Sequence, residues 1–224
     1  MAALAWFLLH AAVAGSGLRA VLVRRFGDKA YRGGFSLASL ASLWCLVAEY
    51  RGAPFRPVAA VPWPLGFVPL LVVPLALVFL VGAFTVPSPT AVGGEKHLTD
   101  PEPARGLLRV TRHPFLWSVV LWSTAHLLVN FDVGSLLLFG SLGVTALRGS
   151  FDIDRKRRRS NPIEFGRFEG MTSNIPFAAL FARRNRLVVR EVWLPLVLGL
   201  ALTVGSLVLH PHFFGASAVP RLHR

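Results

Sequence analysis

Six stretches of this 224-residue chain are nearly free of charge, and almost all of its basic residues lie between them. The stretches are residues 2–18, 33–50, 63–86, 115–129, 133–147 and 192–214. Each approaches the roughly 20 apolar residues that a helix needs to cross a bilayer. Only closed hydrogen-bonding structures survive in hydrocarbon, and runs of this length without a two-residue alternation point to helices. The chain is therefore expected to be an all-α, polytopic membrane bundle of about six transmembrane helices. Prolines 64, 69 and 74 mark the third stretch as kinked or partly re-entrant.

Charge placement orients the bundle. The connections after the first, third and fifth stretches hold 5, 4 and 11 Lys and Arg, while the two ends and the other connections share the remaining four of 24. Basic residues stay on the cytoplasmic side, so this asymmetry predicts an even number of crossings and both termini periplasmic. The net charge of +13 could suggest a nucleic-acid binder. Short basic connections beside apolar runs are better explained by anionic lipid headgroups, and no aromatic interleaving supports nucleic-acid readout. Only 16% of residues are charged, against roughly 25% in soluble domains. The first twenty residues imitate a signal peptide, but no basic residue precedes their apolar core, so a retained first span is expected.

The whole of residues 1–224 reads as one integral membrane domain. Its one long connection, residues 148–190, opens on Asp152-Ile153-Asp154-Arg155-Lys156-Arg157-Arg158-Arg159 and reads as a basic cytoplasmic loop. Pairing beside that run is the default for Asp152 and Asp154. The later part, with Ile175, Pro176, Phe177, Leu180 and Phe181, reads as an interfacial segment or a cap on the cytoplasmic mouth.

Histidines are the chemical candidates. Cys45 is the sole cysteine, which excludes an intrachain disulfide or a cysteine-based cluster. A histidine in hydrocarbon is costly unless bonded, so each one asks for a partner. Counted down from the periplasmic ends of their spans, His10 lies roughly 14 Å deep and His126 about 6 Å deep. His210 lies at the outer end of the last stretch, with His212 beyond it. His97 and His113 belong to the cytoplasmic side, and His223 to the tail. Two imidazoles from antiparallel helices could clamp one haem iron. The plainer reading of His126 is a hydrogen bond to a hydroxyl such as Ser16 or Ser42. For His113, between Arg112 and Pro114 at a span start, capping or headgroup contact is expected. His210 and His212 read as interfacial.

Several motifs run along the chain: Phe7-Leu8-Leu9-His10, Gly27-Asp28-Lys29-Ala30-Tyr31-Arg32-Gly33, Arg112-His113-Pro114, Ala125-His126-Leu127-Leu128-Val129-Asn130 and Leu209-His210-Pro211. Jointly they resemble the NnrU family of bacterial membrane proteins, which is similar to the 15-cis-zeta-carotene isomerases. The resemblance implies a multi-pass inner-membrane protein linked to nitric oxide and denitrification metabolism. Through the isomerases it implies haem b held by two axial histidines, carried here onto His10 and His126. It also implies a candidate haem-dependent isomerase taking an apolar polyene or nitric oxide as ligand. Phe131 departs from the family's usual Gly before Asp132, which makes the outer turn bulkier.

Two other readings compete. Arg112-His113-Pro114 also resembles a motif of isoprenylcysteine and phospholipid methyltransferases, with Phe165-Gly166 to Pro176 echoing their cytoplasmic segment. In that reading Arg112 and His113 bind the carboxylate of S-adenosylmethionine, a task suited to a guanidinium. The other is a non-enzymatic accessory or assembly protein. No hydrolase triad, phosphate-binding glycine loop or metalloprotease helix is present.

Overall fold

The computed structural model describes residues 1–14 and 17–219; Ser16 and His223 lie outside the described residues. Helix α1 (Ala2–Leu8) continues as a π-helical stretch, Leu9–Ala14. Helices α2 (Leu18–Phe26) and α3 (Asp28–Gly52) meet at Gly27, whose φ of +83° suits a residue without Cβ. Helix α4 (Val68–Thr85) follows a 3₁₀ turn, Trp63–Phe67. Helix α5 (Pro114–Val129) turns directly into α6 (Val133–Ser160), which is π-helical over Leu136–Gly140. Helices α7 (Pro162–Met171) and α8 (Ala178–Phe181) precede α9 (Val189–Phe214). All regular structure among the described residues is helical, apart from a single bridge between Pro57 and Asp132.

Three helices are long and apolar enough to cross a membrane: Trp63–Thr85, Val133–Ser160 and Val189–Phe214. The bent pair Ala2–Val13 and Leu18–Phe26 makes a fourth if it counts as one span. The expected six differ for physical reasons. Helix α5 has 16 residues, roughly 24 Å of rise against a hydrocarbon core of about 30 Å. Helix α3 is long enough but carries Asp28, Lys29, Arg32, Glu49 and Arg51 at its ends. The crossing helices expose large apolar side chains, such as Leu71, Phe84, Val197 and Val208, as a hydrocarbon solvent favours.

Other expectations are corrected. Pro64 and Pro69 sit in the first turns of their helical segments, where no hydrogen bond is lost, and only Pro74 lies inside α4. The basic run at 155–159 is the last turns of α6 rather than a loop. It stays helical because Arg and Lys are good helix formers and favour a helix C-terminus.

Helix α4 is the centre of the bundle, packed on α5 and α9. A Cβ on Gly199 of α9 would stand 2.7 Å from the Cα of Val78, so these two backbones meet in direct contact. The two ends of the bundle are distinct. At one end Val58 N–H donates to the Phe131 carbonyl and Val133 N–H to that of Arg56, fixing the 53–62 connection on the α5–α6 turn. Asp132 caps α6 by accepting from Ser135 N–H. Glu49 accepts from the Ala2 amide at this same end. At the other end lie the α2–α3 turn, residues 86–113, the tail of α6, and α7–α8.

Candidate functional site: a histidine-bearing cavity and a buried polar platform

A cavity of about 2420 Å³ lies among α1, α3, α4, α5, α6 and the end of α9. Its walls are mostly apolar, with Trp6, Phe35, Leu77, Trp122 and Phe139 among the lining residues. His10, His126 and His210 also line it.

The three imidazoles are held alike. His10 Nδ1 is 2.9 Å from the Trp6 carbonyl, His126 Nδ1 is 2.8 Å from that of Trp122, and His210 Nδ1 is 2.7 Å from that of Ala216. A carbonyl only accepts, so Nδ1 is the donor in each, and in the neutral ring Nε2 is then the nitrogen with the lone pair. Of the hydroxyls expected as plainer partners for His126, Ser16 lies outside the described residues and Ser42 donates instead to the Ser39 carbonyl. A metal-binding histidine is oriented in this way, with one ring nitrogen tied back and the other free. Two of the three repeat one device, Trp-x-x-x-His, with ring centroids 4.1 Å apart in Trp6–His10 and 4.5 Å in Trp122–His126. His10 lies in one π-helical stretch, and Phe139, stacked 4.9 Å from His126, lies in the other. Such irregularities recur at functional sites.

The structure does not bring His10 and His126 to one point. His126 stacks on Phe139, which lies edge-on to Tyr50 near the end of α3. His10 contacts Phe35, fifteen residues earlier on the same helix. Helix α1 drops roughly 12 Å between Ala2, held at Glu49, and His10. No ring contact joins the two imidazoles, whereas one iron between them requires nitrogens roughly 4 Å apart, twice a metal–imidazole bond. Helix α1 begins level with Tyr50, so His10 falls below His126, in the order that the depths counted from the span ends already gave. His210 is the nearer neighbour, within electrostatic reach of His126. The donor chemistry thus suits an iron porphyrin, and His10, His126 and His210 all line the one cavity. Among the described residues no three His, Cys, Asp or Glu side chains converge on a metal position.

The second feature is a buried polar platform at the opposite end. The segment before α5 is extended, because Pro114 opens the helix, and it is pinned on both sides. Arg112 N–H donates to the Ser173 carbonyl at 2.9 Å, Thr90 Oγ1 donates to the Arg112 carbonyl at 2.6 Å, and Thr111 Oγ1 to that of Asn174 at 2.6 Å. His113, only 3% exposed, donates from Nε2 to Asp154 Oδ1 at 2.8 Å. Asn174 Nδ2 donates to Asp154 Oδ2 at 3.1 Å, and Ser150 and Trp117 both donate to Asn174 Oδ1. Arg112 spans Asp154, at 3.4 Å, and Glu169, at 2.9 Å, with its guanidinium over the Phe165 ring.

Burial pushes His113 below the ordinary imidazole range, against the opposing pull of Asp154, so a neutral ring faces the carboxylate. Glu169 is held below the usual carboxylate range, chiefly by the hydrogen bond from Arg158. His113 is therefore a core residue rather than a surface cap. The methyltransferase role for Arg112 and His113 meets groups already engaged: the guanidinium on Asp154 and Glu169, and the imidazole on Asp154.

Sequence reading overlooked Asp154 and Asn174. A signal existed for the first, since Ser150, Asp154 and Arg157 follow one another at helical spacing, and all three are buried. Asp152 behaves as expected, paired with Arg148 and Arg155.

The chain is 37% identical over 124 residues to the 15-cis-zeta-carotene isomerase, chloroplastic, of Arabidopsis thaliana, a match covering 53% of this chain. It spans 33% of that relative's length. No solved structure matches. The family described as NnrU protein matches residues 1–218, from the first helix past the end of the last, and the chain belongs to the NnrU family.

Proposed function

We propose that this protein is a multi-pass protein of the inner membrane that holds an elongated apolar ligand in the histidine-bearing cavity and isomerises it. The cavity carries the reading. Its volume exceeds the roughly 300–1,000 Å³ of an ordinary small-molecule site, and its lining is mostly apolar. The polyene named in the plant relative is a substrate of this shape. A diatomic such as nitric oxide needs no such volume, so the denitrification link has weaker physical support. Six crossings with both termini periplasmic fit the proposal, because the twenty basic residues then all lie on the cytoplasmic side.

Haem b is proposed as the cofactor, with His126 as its ligand and His210 as the nearest second imidazole. When bound it would supply one-electron chemistry and an exchangeable axial position. The chain's own residues tie Nδ1 of each histidine to a main-chain carbonyl and stack Trp122 and Phe139 against His126.

Spectra of detergent-purified protein from haem-replete cells, followed by incubation with 15-cis-zeta-carotene, test both parts. The expected result is a Soret band that is lost in His126→Ala, weakened in His210→Ala and kept in His10→Ala, with geometric conversion of the carotene. Loss of the band in His10→Ala with retention in His210→Ala would restore the original pair. Absence of the band in every preparation sinks the cofactor; failure to retain carotene sinks the ligand class.

A further inference from the structure

The cavity does not stay apolar along its length. Where α6 passes its last apolar turns, the lining becomes basic. Arg19 and Arg32 share the carboxylate of Asp28, at 3.3 and 2.6 Å. Arg148 and Arg155 share that of Asp152, at 3.2 and 2.9 Å. Arg157 turns inward to Glu95 and to the carbonyls of Pro89 and Ala91. Lys156 and Arg159 also line the cavity, and neither has an acidic partner within ion-pair distance among the described residues. Lys156 lies within electrostatic reach of Arg19 and Arg157, and the carboxylates that also reach it, Glu95 and Asp28, are already paired with Arg157 and with Arg19 and Arg32. Seven cations thus meet three carboxylates at one end of an apolar cavity.

Like charges gathered in this way repel unless an anion joins them. Helix α6 rises roughly 35 Å from Val133, beside the His126 end, to Lys156. An anion placed at Lys156 therefore has apolar space behind it as long as a lipid chain. A neutral polyene makes no use of the basic end.

We infer that this end of the cavity is a binding site for an anionic amphiphile, a lipid with a phosphate headgroup held by Lys156 and Arg159 and its acyl chain lying along the cavity. Arg148, stacked over the Phe7 ring with its guanidinium 5.6 Å from the centroid, marks where the headgroup region meets the chain region. The site rests on neither the polyene nor the haem.

Native mass spectrometry of the full chain in a neutral detergent tests it, with dioleoyl phosphatidic acid, dioleoyl phosphatidylcholine and inorganic phosphate as separate probes. The phosphatidic acid should be retained about tenfold better than the phosphatidylcholine, and the Lys156→Gln/Arg159→Gln variant should lose that preference. Each cation near an anionic surface contributes enough for two to account for a change of that size. Arg183→Gln/Arg186→Gln, cations outside the cavity lining, should keep the preference, as should the His10→Ala/His126→Ala/His210→Ala variant. The melting temperature of each variant confirms that it is folded, and Lys156→Arg should bind as the parent does. Equal retention of both lipids, equal loss in the Arg183/Arg186 variant, or competition by inorganic phosphate alone would overturn the site. The first means no headgroup is read, the second a diffuse surface charge, and the third an anion site with no use for the chain.

Discussion

The two ends of this molecule handle buried polar groups in opposite ways. Around the cavity, each imidazole is tied to a main-chain carbonyl close by in sequence, four residues back for His10 and His126 and six ahead for His210. Nothing on a neighbouring helix depends on those bonds. Beneath α5, the polar groups are tied to one another across elements: Asp154 of α6 joins His113 and Arg112 from the segment before α5, and Asn174 from the loop before α8. A self-contained group can change its second ligand without disturbing the fold. A shared group cannot. The first arrangement suits a site that binds and releases, and the second suits a platform that must not move.

The largest effect should come from cutting the shared centre. Asp154→Ala leaves His113, Arg112 and Asn174 facing a void, and breaking a buried ionic network in this way costs about 3–5 kcal/mol. Unfolding followed in mixed micelles should show that loss. Asp154→Asn, which keeps an acceptor for His113 but not the charge for Arg112, should fall between the two. An Asp154→Ala variant as stable as the parent would erase the contrast between the ends.

A smaller and reversible effect comes from protons. His113 titrates below its ordinary value of about 6.5 when folded, so the unfolded chain binds a proton first as pH falls. Its contribution is therefore complete above about pH 6.5 and is lost progressively below it. Glu169, lowered when folded, adds a loss that begins only near the ordinary carboxylate range. Melting temperatures between pH 8 and 5 should decline for the parent, and the decline should flatten in His113→Gln. An unchanged slope in that variant would place the titrating group elsewhere.

How much of this could be read beforehand differs between the ends for the same reason. The helical, membrane-bound character follows from composition along the chain, which is local information, and so does the presence of histidines in apolar surroundings. Which histidines meet is not local. It depends on where α1 starts relative to α3, and that is set by the Ala2–Glu49 contact 47 residues apart. His113 looked like a span-start residue because Arg112 and Pro114 flank it; its burial comes from residues 173–177 folding over it. Asp154 was hidden by its neighbours, since a carboxylate next to five consecutive basic residues suggests a local ion pair. Asp152 makes such a pair, and Asp154, two residues on and therefore on another helix face, does not.

The smallest effect is the sharpest test of the contrast. His126→Ala removes a ring that, among the described residues, hydrogen-bonds only to Trp122 of its own helix, stacks on Phe139 and borders the cavity. No partner on another helix is left unsatisfied, and the Trp122 carbonyl, already part of α5, loses only a second hydrogen bond. The expected cost in stability is about 1 kcal/mol or less, within the range of ordinary polar contacts between membrane helices. The same variant should nevertheless abolish the Soret band, so stability and cofactor content are expected to separate completely at this position while stability alone collapses at Asp154. If His126→Ala instead unfolds the protein as Asp154→Ala does, the imidazole is a structural tie like those of the platform, and the cavity end loses its claim to be the part that binds.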